Sequence, residues 1–131
     1  MTSDSRFLSV RIDRPAKTVY EYAADVANLR EWVTGIESDA QVTFAPRNDF
    51  GVLDHEVRTP AGETVYVPMR VTSHGDGAEV VFTLRPFPGM TAEELERDSA
   101  AVMTDLNRLR ENLEAGAAPA PGPATDQPAA P

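Results

Sequence analysis

The sequence predicts an α+β domain in which an antiparallel sheet of about five strands wraps on one long C-terminal helix. Three observations predict it: short segments alternate apolar and polar residues, Gly- and Pro-rich turns separate them, and a long amphipathic stripe follows. A chain of 131 residues fits one domain. We expect that domain to cover residues 1–114.

The first strand and two short helices are predicted near the N-terminus. Leu8, Val10 and Ile12 alternate with polar residues between Arg6 and Asp13, as in a half-buried strand. A first helix then carries apolar residues at helical spacing, namely Val19, Tyr22, Ala23 and Val26. A second short helix, capped by Asp25, carries Leu29 and Trp32.

Four further strands form the predicted meander. They run from Ala40 to Phe44, from Phe50 to Arg58, from Glu63 to Thr72 and from Ala78 to Arg85. The segment Gly75-Asp76-Gly77 between the last two is a strong hairpin signal.

A long helix follows the meander. Thr91 and Glu94 have the spacing of a capping box. A stripe at helical spacing lies behind them, formed by Leu95, Ser99, Val102, Leu106, Leu109 and Leu113. The stripe could be a coiled-coil seam, but the sheet needs a cover, so we expect it to pack on its own domain.

The composition excludes several classes of function. Lys and Arg total 12 against 21 Asp and Glu, a net charge of -9, so we expect no nucleic-acid or membrane partner. There is no Cys and there are only two His, so we expect no metal site and no cofactor. No signal peptide or membrane span is apparent, which favours the cytoplasm. Residues 115–131 are rich in Ala and Pro, and we expect them to form a disordered tail.

The order of elements resembles the START-like, or SRPBCC, superfamily, and in particular its small polyketide cyclase/dehydrase-like bacterial branch. Four segments carry the resemblance: Ser9 to Tyr22, Asp25 to Trp32, Phe50 to Val57 and Gly77 to Leu84. The resemblance implies a helix-grip fold, in which a curved sheet holds an apolar molecule against the long helix. Fuller members have a larger sheet, so we do not expect a large enclosed cavity here or a ligand as big as a sterol.

His55 is the candidate catalytic residue. Leu53, His55 and Val57 share one strand face, which we expect to look inward. The imidazole could act as an acid or base, or donate to a ligand carbonyl. The alternative is a core or rim histidine bonded to backbone, which is the commoner case.

Other polar candidates have structural alternatives. Asp54 and Glu56 share the opposite face and are expected to be solvated. Arg70 is expected outside, paired with a carboxylate, unless a bulge near Pro68 inverts it. Ser99 either bonds a ligand or, more commonly, its own helix backbone.

Two functions follow. The first is binding of a small apolar or aromatic molecule between sheet and helix, with or without cyclase/dehydrase-type activity. The expected ligand-binding residues are Tyr22, Trp32, Leu53, His55, Met69, Phe82, Ser99, Val102, Met103 and Leu106. The second is a protein-interaction module with a filled core and no ligand. An open sheet edge could also pair two copies as a homodimer.

Overall fold

The structure, a computed structural model, describes residues 4–35 and 39–116. The elements are β1 (Arg6–Ile12), α1 (Ala16–Ala23), a 3-10 turn (Val26–Asn28), α2 (Leu29–Trp32), β2 (Gln41–Phe44), β3 (His55–Arg58), β4 (Thr64–Val67), β5 (Met69–His74), β6 (Gly77–Leu84) and α3 (Ala92–Glu114). This order confirms the predicted α+β helix-grip fold. The predicted tail lies outside the described residues from position 117 onward.

A single proline divides the sheet into two halves. The strand predicted from Glu63 to Thr72 is interrupted at Pro68, whose nitrogen has no hydrogen for a strand ladder. Before the break, β4 pairs with β3 and β3 with β2; after it, β5 pairs with β6 and β6 with β1, all antiparallel. The bend at Pro68 therefore joins a β2–β3–β4 half-sheet to a β1–β6–β5 half-sheet.

The strand predicted from Phe50 is shorter in the structure. The Asn48 side chain accepts from the backbone nitrogens of Phe50 and Val52, both at 3.0 Å, and holds a turn there. Gly51 follows at φ 73°, and a Cβ at this position would overlap the carbonyl oxygen of Val71. Regular pairing of β3 therefore begins only at His55.

The first helical stripe is also shorter than predicted. Val26 does not belong to α1: the chain leaves that helix at Ala24, and Val26 is 54% exposed in the 3-10 turn. Asp25 begins that turn and accepts from the nitrogen of Ala27 at 2.9 Å, so it caps the 3-10 turn that leads into α2 rather than, as predicted, α2 itself. The side chains of Leu29 and Trp32 are buried as expected.

Helix α3 runs parallel to β1 along the whole length of that strand. The Arg6 guanidinium lies 3.4 Å from the Ser99 hydroxyl, and the Asp13 nitrogen donates to the Glu114 carboxylate at 2.8 Å. Both stretches measure about 23 Å, at about 3.3 Å per strand residue and 1.5 Å per helical residue. The predicted packing of the apolar stripe on its own sheet is confirmed, and the Thr91–Glu94 capping box is formed.

The closed core lies between α3, the N-terminal helices and the β1–β6–β5 half-sheet. Helix α3 packs mainly on β1 and α2, and α1 packs on β5 and β6. The fully buried side chains there include Ile12, Val19, Val80, Leu106, Leu109 and Leu113. The inner side of the β2–β3–β4 half-sheet is less covered, because α3 makes few contacts with it. The helix therefore closes only half of the curved sheet.

Candidate functional site

Five half-buried residues on the inner side of the bent sheet and on α3 form a largely apolar surface, which we call the apolar gap. They are Phe44, His55, Phe82, Val102 and Met103. The four apolar members pack against the edge of the core without being enclosed by it. Flat apolar molecules bind preferentially to concave surfaces of this composition.

The parallel run of α3 and β1 places the helical residues beside the sheet. Ser99 is level with Arg6. Val102 lies three helical residues further on, about 4.5 Å, and Leu8 two strand residues further on, about 6.6 Å, so the two lie at similar heights. Leu8 is paired with Phe82 across the strands β1 and β6. Val102 on the helix and Phe82 on the sheet therefore lie at similar heights along α3 and β1.

His55 occupies the inner side of the bend. Its register partners are Phe44 on β2 and Val67 on β4, so the three side chains share one face. The imidazole centroid lies 5.0 Å from the Phe44 ring and 6.4 Å from the Phe82 ring. Its Nδ1 is 2.9 Å from the carbonyl oxygen of Leu53. The backbone bond matches the structural alternative, while the ring remains partly exposed in the gap.

Burial lowers the pKa of His55 from its usual value of 6.5. The hydrogen bond with Leu53 and the nearby Asp54 charge oppose this effect without outweighing it. The imidazole is therefore neutral at neutral pH, which suits a proton acceptor.

The predicted ligand-binding residues fall into two groups. Tyr22, Trp32, Leu53, Met69 and Leu106 are buried in the closed core. His55, Phe82, Val102 and Met103 line the apolar gap, and Ser99 lies at its end. Sequence spacing could not separate the two groups. An inward-facing residue has the same position in the strand or helix pattern whether it lies in the closed core or at the apolar gap.

One core residue has an unsatisfied polar atom. The indole Nε1 of Trp32 is buried and has no hydrogen-bond partner among the described residues. A buried N–H without a partner is destabilising, so this indole is a candidate donor to a water or ligand oxygen.

Ser99 has a partner that was not predicted. Its buried hydroxyl is bonded by the Arg6 guanidinium, and Arg6 also forms an ion pair with Glu96 at 2.8 Å. The Ser99 hydroxyl is thus bonded to β1 rather than to its own helix backbone. This contact fixes the first half of α3 on β1.

Asp54 is buried, and the expectation that it is solvated was wrong. Its carboxylate accepts from the Tyr66 hydroxyl at 2.6 Å, the Met69 nitrogen at 2.9 Å and Arg70 at 3.0 and 3.1 Å. These donors lie on both sides of Pro68. The bend at Pro68 brings them close to the Asp54 carboxylate, which lies on the outer face of the sheet. The predicted pairing of Arg70 with a carboxylate is confirmed, and Glu56 is exposed as expected.

These hydrogen bonds determine the charge state of Asp54. Burial raises the pKa of its carboxyl, but the bonds from Arg70, Tyr66 and Met69 outweigh burial and lower it to about 2. An open hollow of about 200 Å³ lies beside this cluster, lined by Thr43, Phe44, Ala45, Asp54, His55, Glu56 and Tyr66. All acceptor positions of Asp54 are engaged, so the cluster fixes the bend rather than offering a free carboxylate.

Within residues 4–35 and 39–116, no cluster of three or more His, Cys, Asp or Glu is arranged to hold a metal ion. No helix among them is both long and apolar enough to cross a membrane.

Solved structures resemble this fold at low sequence identity. DynU16, a protein in the dynemicin biosynthetic locus, is 17% identical with a TM-score of 0.69, over 87% of this chain and 48% of that protein. CalU16 from Micromonospora echinospora is 14% identical with a TM-score of 0.64, over 88% and 77%. Ara h 8.0201 is 8% identical with a TM-score of 0.57, over 86% and 98%.

The chain thus spans about half the length of DynU16. Neither a protein-family model nor a curated protein matches the sequence. At these identities the likeness establishes the helix-grip fold alone.

Proposed function

We propose that the protein binds a small, flat, apolar or aromatic molecule in the apolar gap. The observation that carries this proposal is the incomplete cover of the sheet: the side chains of Phe44, Phe82, Val102 and Met103 pack against the enclosed core and stay half-buried themselves. A bound apolar molecule would remove their surface from water, at about 25 cal/mol for each Å² buried.

The polar groups of the gap limit the chemistry of the ligand. His55 is the one ionisable side chain among the five residues that define it, and its neutral state avoids placing a charge against the ligand. A flat ring could stack beside Phe44 and Phe82 while one polar atom meets the imidazole.

A more specific version of this proposal is that the protein also catalyses a reaction of the bound molecule. If the protein steers cyclisation or dehydration, His55 would move the proton, and confinement in the gap would orient the substrate. The variant His55→Ala would then abolish turnover, whereas in a carrier it would leave the retention of a ligand without a hydroxyl group nearly unchanged. Equal activity of both proteins would remove His55 from catalysis.

Binding of 2-methoxynaphthalene, measured by equilibrium dialysis, tests the proposal. We expect the native protein to bind this probe and Val102→Phe to lose most of the affinity, because the larger ring fills the gap. Ala101→Phe places the same ring on the exposed side of the helix and should bind as the native protein does. Equal binding by both variants would contradict the location.

A second candidate function is a protein-interaction module. Three exposed aromatic side chains favour it, since Phe7 is 71%, Phe50 81% and Phe87 56% exposed. Failure of the native protein to bind flat apolar probes, together with concentration-dependent association lost in Phe50→Ser, would favour this function instead.

A further inference from the structure

We propose that the ligand presents a hydroxyl hydrogen to Nε2 of His55, so that the apolar gap selects phenols or enols over their ethers. This inference rests on the proposed function and adds the class of ligand. It starts from the hydrogen bond at the other nitrogen of the same ring.

The backbone contact determines the tautomer of His55. Nδ1 lies 2.9 Å from the carbonyl oxygen of Leu53, and a carbonyl oxygen can only accept. Nδ1 therefore carries the hydrogen. Because burial keeps the imidazole neutral, Nε2 has no hydrogen and offers a lone pair.

The position of Nε2 makes that lone pair available to a ligand. Among the described residues none forms a hydrogen bond with it, and the ring is flanked by the aromatic side chains of Phe44 and Phe82. Apolar neighbours cannot satisfy an acceptor, so a ligand that donates there gains a hydrogen bond with little competition from protein groups.

This result reverses one expectation from the sequence. Donation to a ligand carbonyl was one of the roles considered for His55, but the Leu53 carbonyl occupies the donating nitrogen. A ligand carbonyl would meet the lone pair of Nε2, which is unfavourable. A hydroxyl on the same flat ring would both bind and, in an enzyme, be placed to lose its proton to a neutral base.

The test compares two probes of the same ring system, 2-naphthol and 2-methoxynaphthalene, by equilibrium dialysis. The ether cannot donate. We expect the preference for 2-naphthol, expressed as the ratio of the two dissociation constants, to be about fivefold larger in the native protein than in His55→Phe, as one hydrogen bond gives. Phenylalanine preserves the aromatic contacts with Phe44 and Phe82.

The outcomes separate this inference from the proposed function. If both probes bind and the ratio is the same in the two proteins, the hydroxyl preference is refuted while ligand binding stands. If neither probe binds the native protein, both proposals fail.

A second measurement needs no substitution. Long-range proton–nitrogen correlation spectra of the native protein should show His55 with its hydrogen on Nδ1 at neutral pH. A hydrogen on Nε2 instead would overturn the inference.

Discussion

His55 and Phe82 come from different halves of the sheet, and their rings lie 6.4 Å apart on the inner side of the bend. The bend at Pro68 brings these halves together, and the Asp54 cluster on the outer side fixes it. A proline, a buried carboxylate and an imidazole thus form one local arrangement. It places a single titratable group beside the aromatic rings of the apolar gap.

The carboxylate of Asp54 should be important for stability. Asp54→Asn removes the charged acceptor for Arg70, and we expect a loss of about 2 kcal/mol in the free energy of unfolding at neutral pH, as the lowered pKa implies. Urea denaturation measures it. Glu56→Gln, on the same outer face but exposed, should change stability by less than about 0.5 kcal/mol. Equal effects would contradict the role of the cluster.

Protonation of His55 should weaken the fold in mild acid. The unfolded chain binds a proton near pH 6.5, whereas the folded chain binds it only at lower pH. The free energy of unfolding should therefore fall as pH decreases below 6.5, and level off below the folded pKa. Urea titrations between about pH 5 and 7.5 measure this slope.

Substitution of each histidine identifies the residue responsible for that slope. His55→Phe should flatten it, while His74→Gln, at the exposed end of β5, should keep it. If the slope disappears only in His74→Gln, the pH dependence of stability arises from His74, which would contradict the prediction for His55.

The C-terminal end of α3 should depend on Arg14. This guanidinium donates to the carbonyl oxygen of Leu113, and the last turn of the helix contains no basic residue of its own. Arg14→Ala should cost about 1 kcal/mol and speed amide exchange in that turn. Lys17→Ala, on the exposed side of α1, is the control. Unchanged exchange in Arg14→Ala would contradict the contact.

Two valines should differ in what they contribute to stability. Val80 is 0% exposed in the closed core, so Val80→Ala should cost about 2 kcal/mol. Val102 is half-buried at the apolar gap, so Val102→Ala should cost less than about 1 kcal/mol. Thermal denaturation compares them, and similar losses would mean that the gap is packed as tightly as the core.

Local sequence patterns predicted the elements but not their curvature. Alternation and the capping box located the first strand and α3, because burial of one face determines those periods. The break at Pro68 and the start of β3 at His55 depend on side chains that meet across the fold, such as Asp54 with Tyr66. Strand parity correctly predicted that Asp54 lies on the outer face. It could not predict that Tyr66 and Arg70 cover Asp54 there and bury it.

The candidate site was predictable only in part. Parity placed His55 inward, and the helical stripe included Val102. The sequence could not show that Leu106 faces a filled core while Val102 borders an open gap, because that difference depends on how far α3 extends over the sheet. The tautomer of His55 likewise depends on a backbone contact that residue spacing does not specify.

The most direct test of ligand binding in the gap is an intermolecular nuclear Overhauser measurement with 2-methoxynaphthalene. We expect contacts from the naphthalene protons to the Met103 methyl group and the Phe82 ring. Contacts to the exposed rings of Phe7, Phe50 or Phe87 instead, or none at all, would contradict the account.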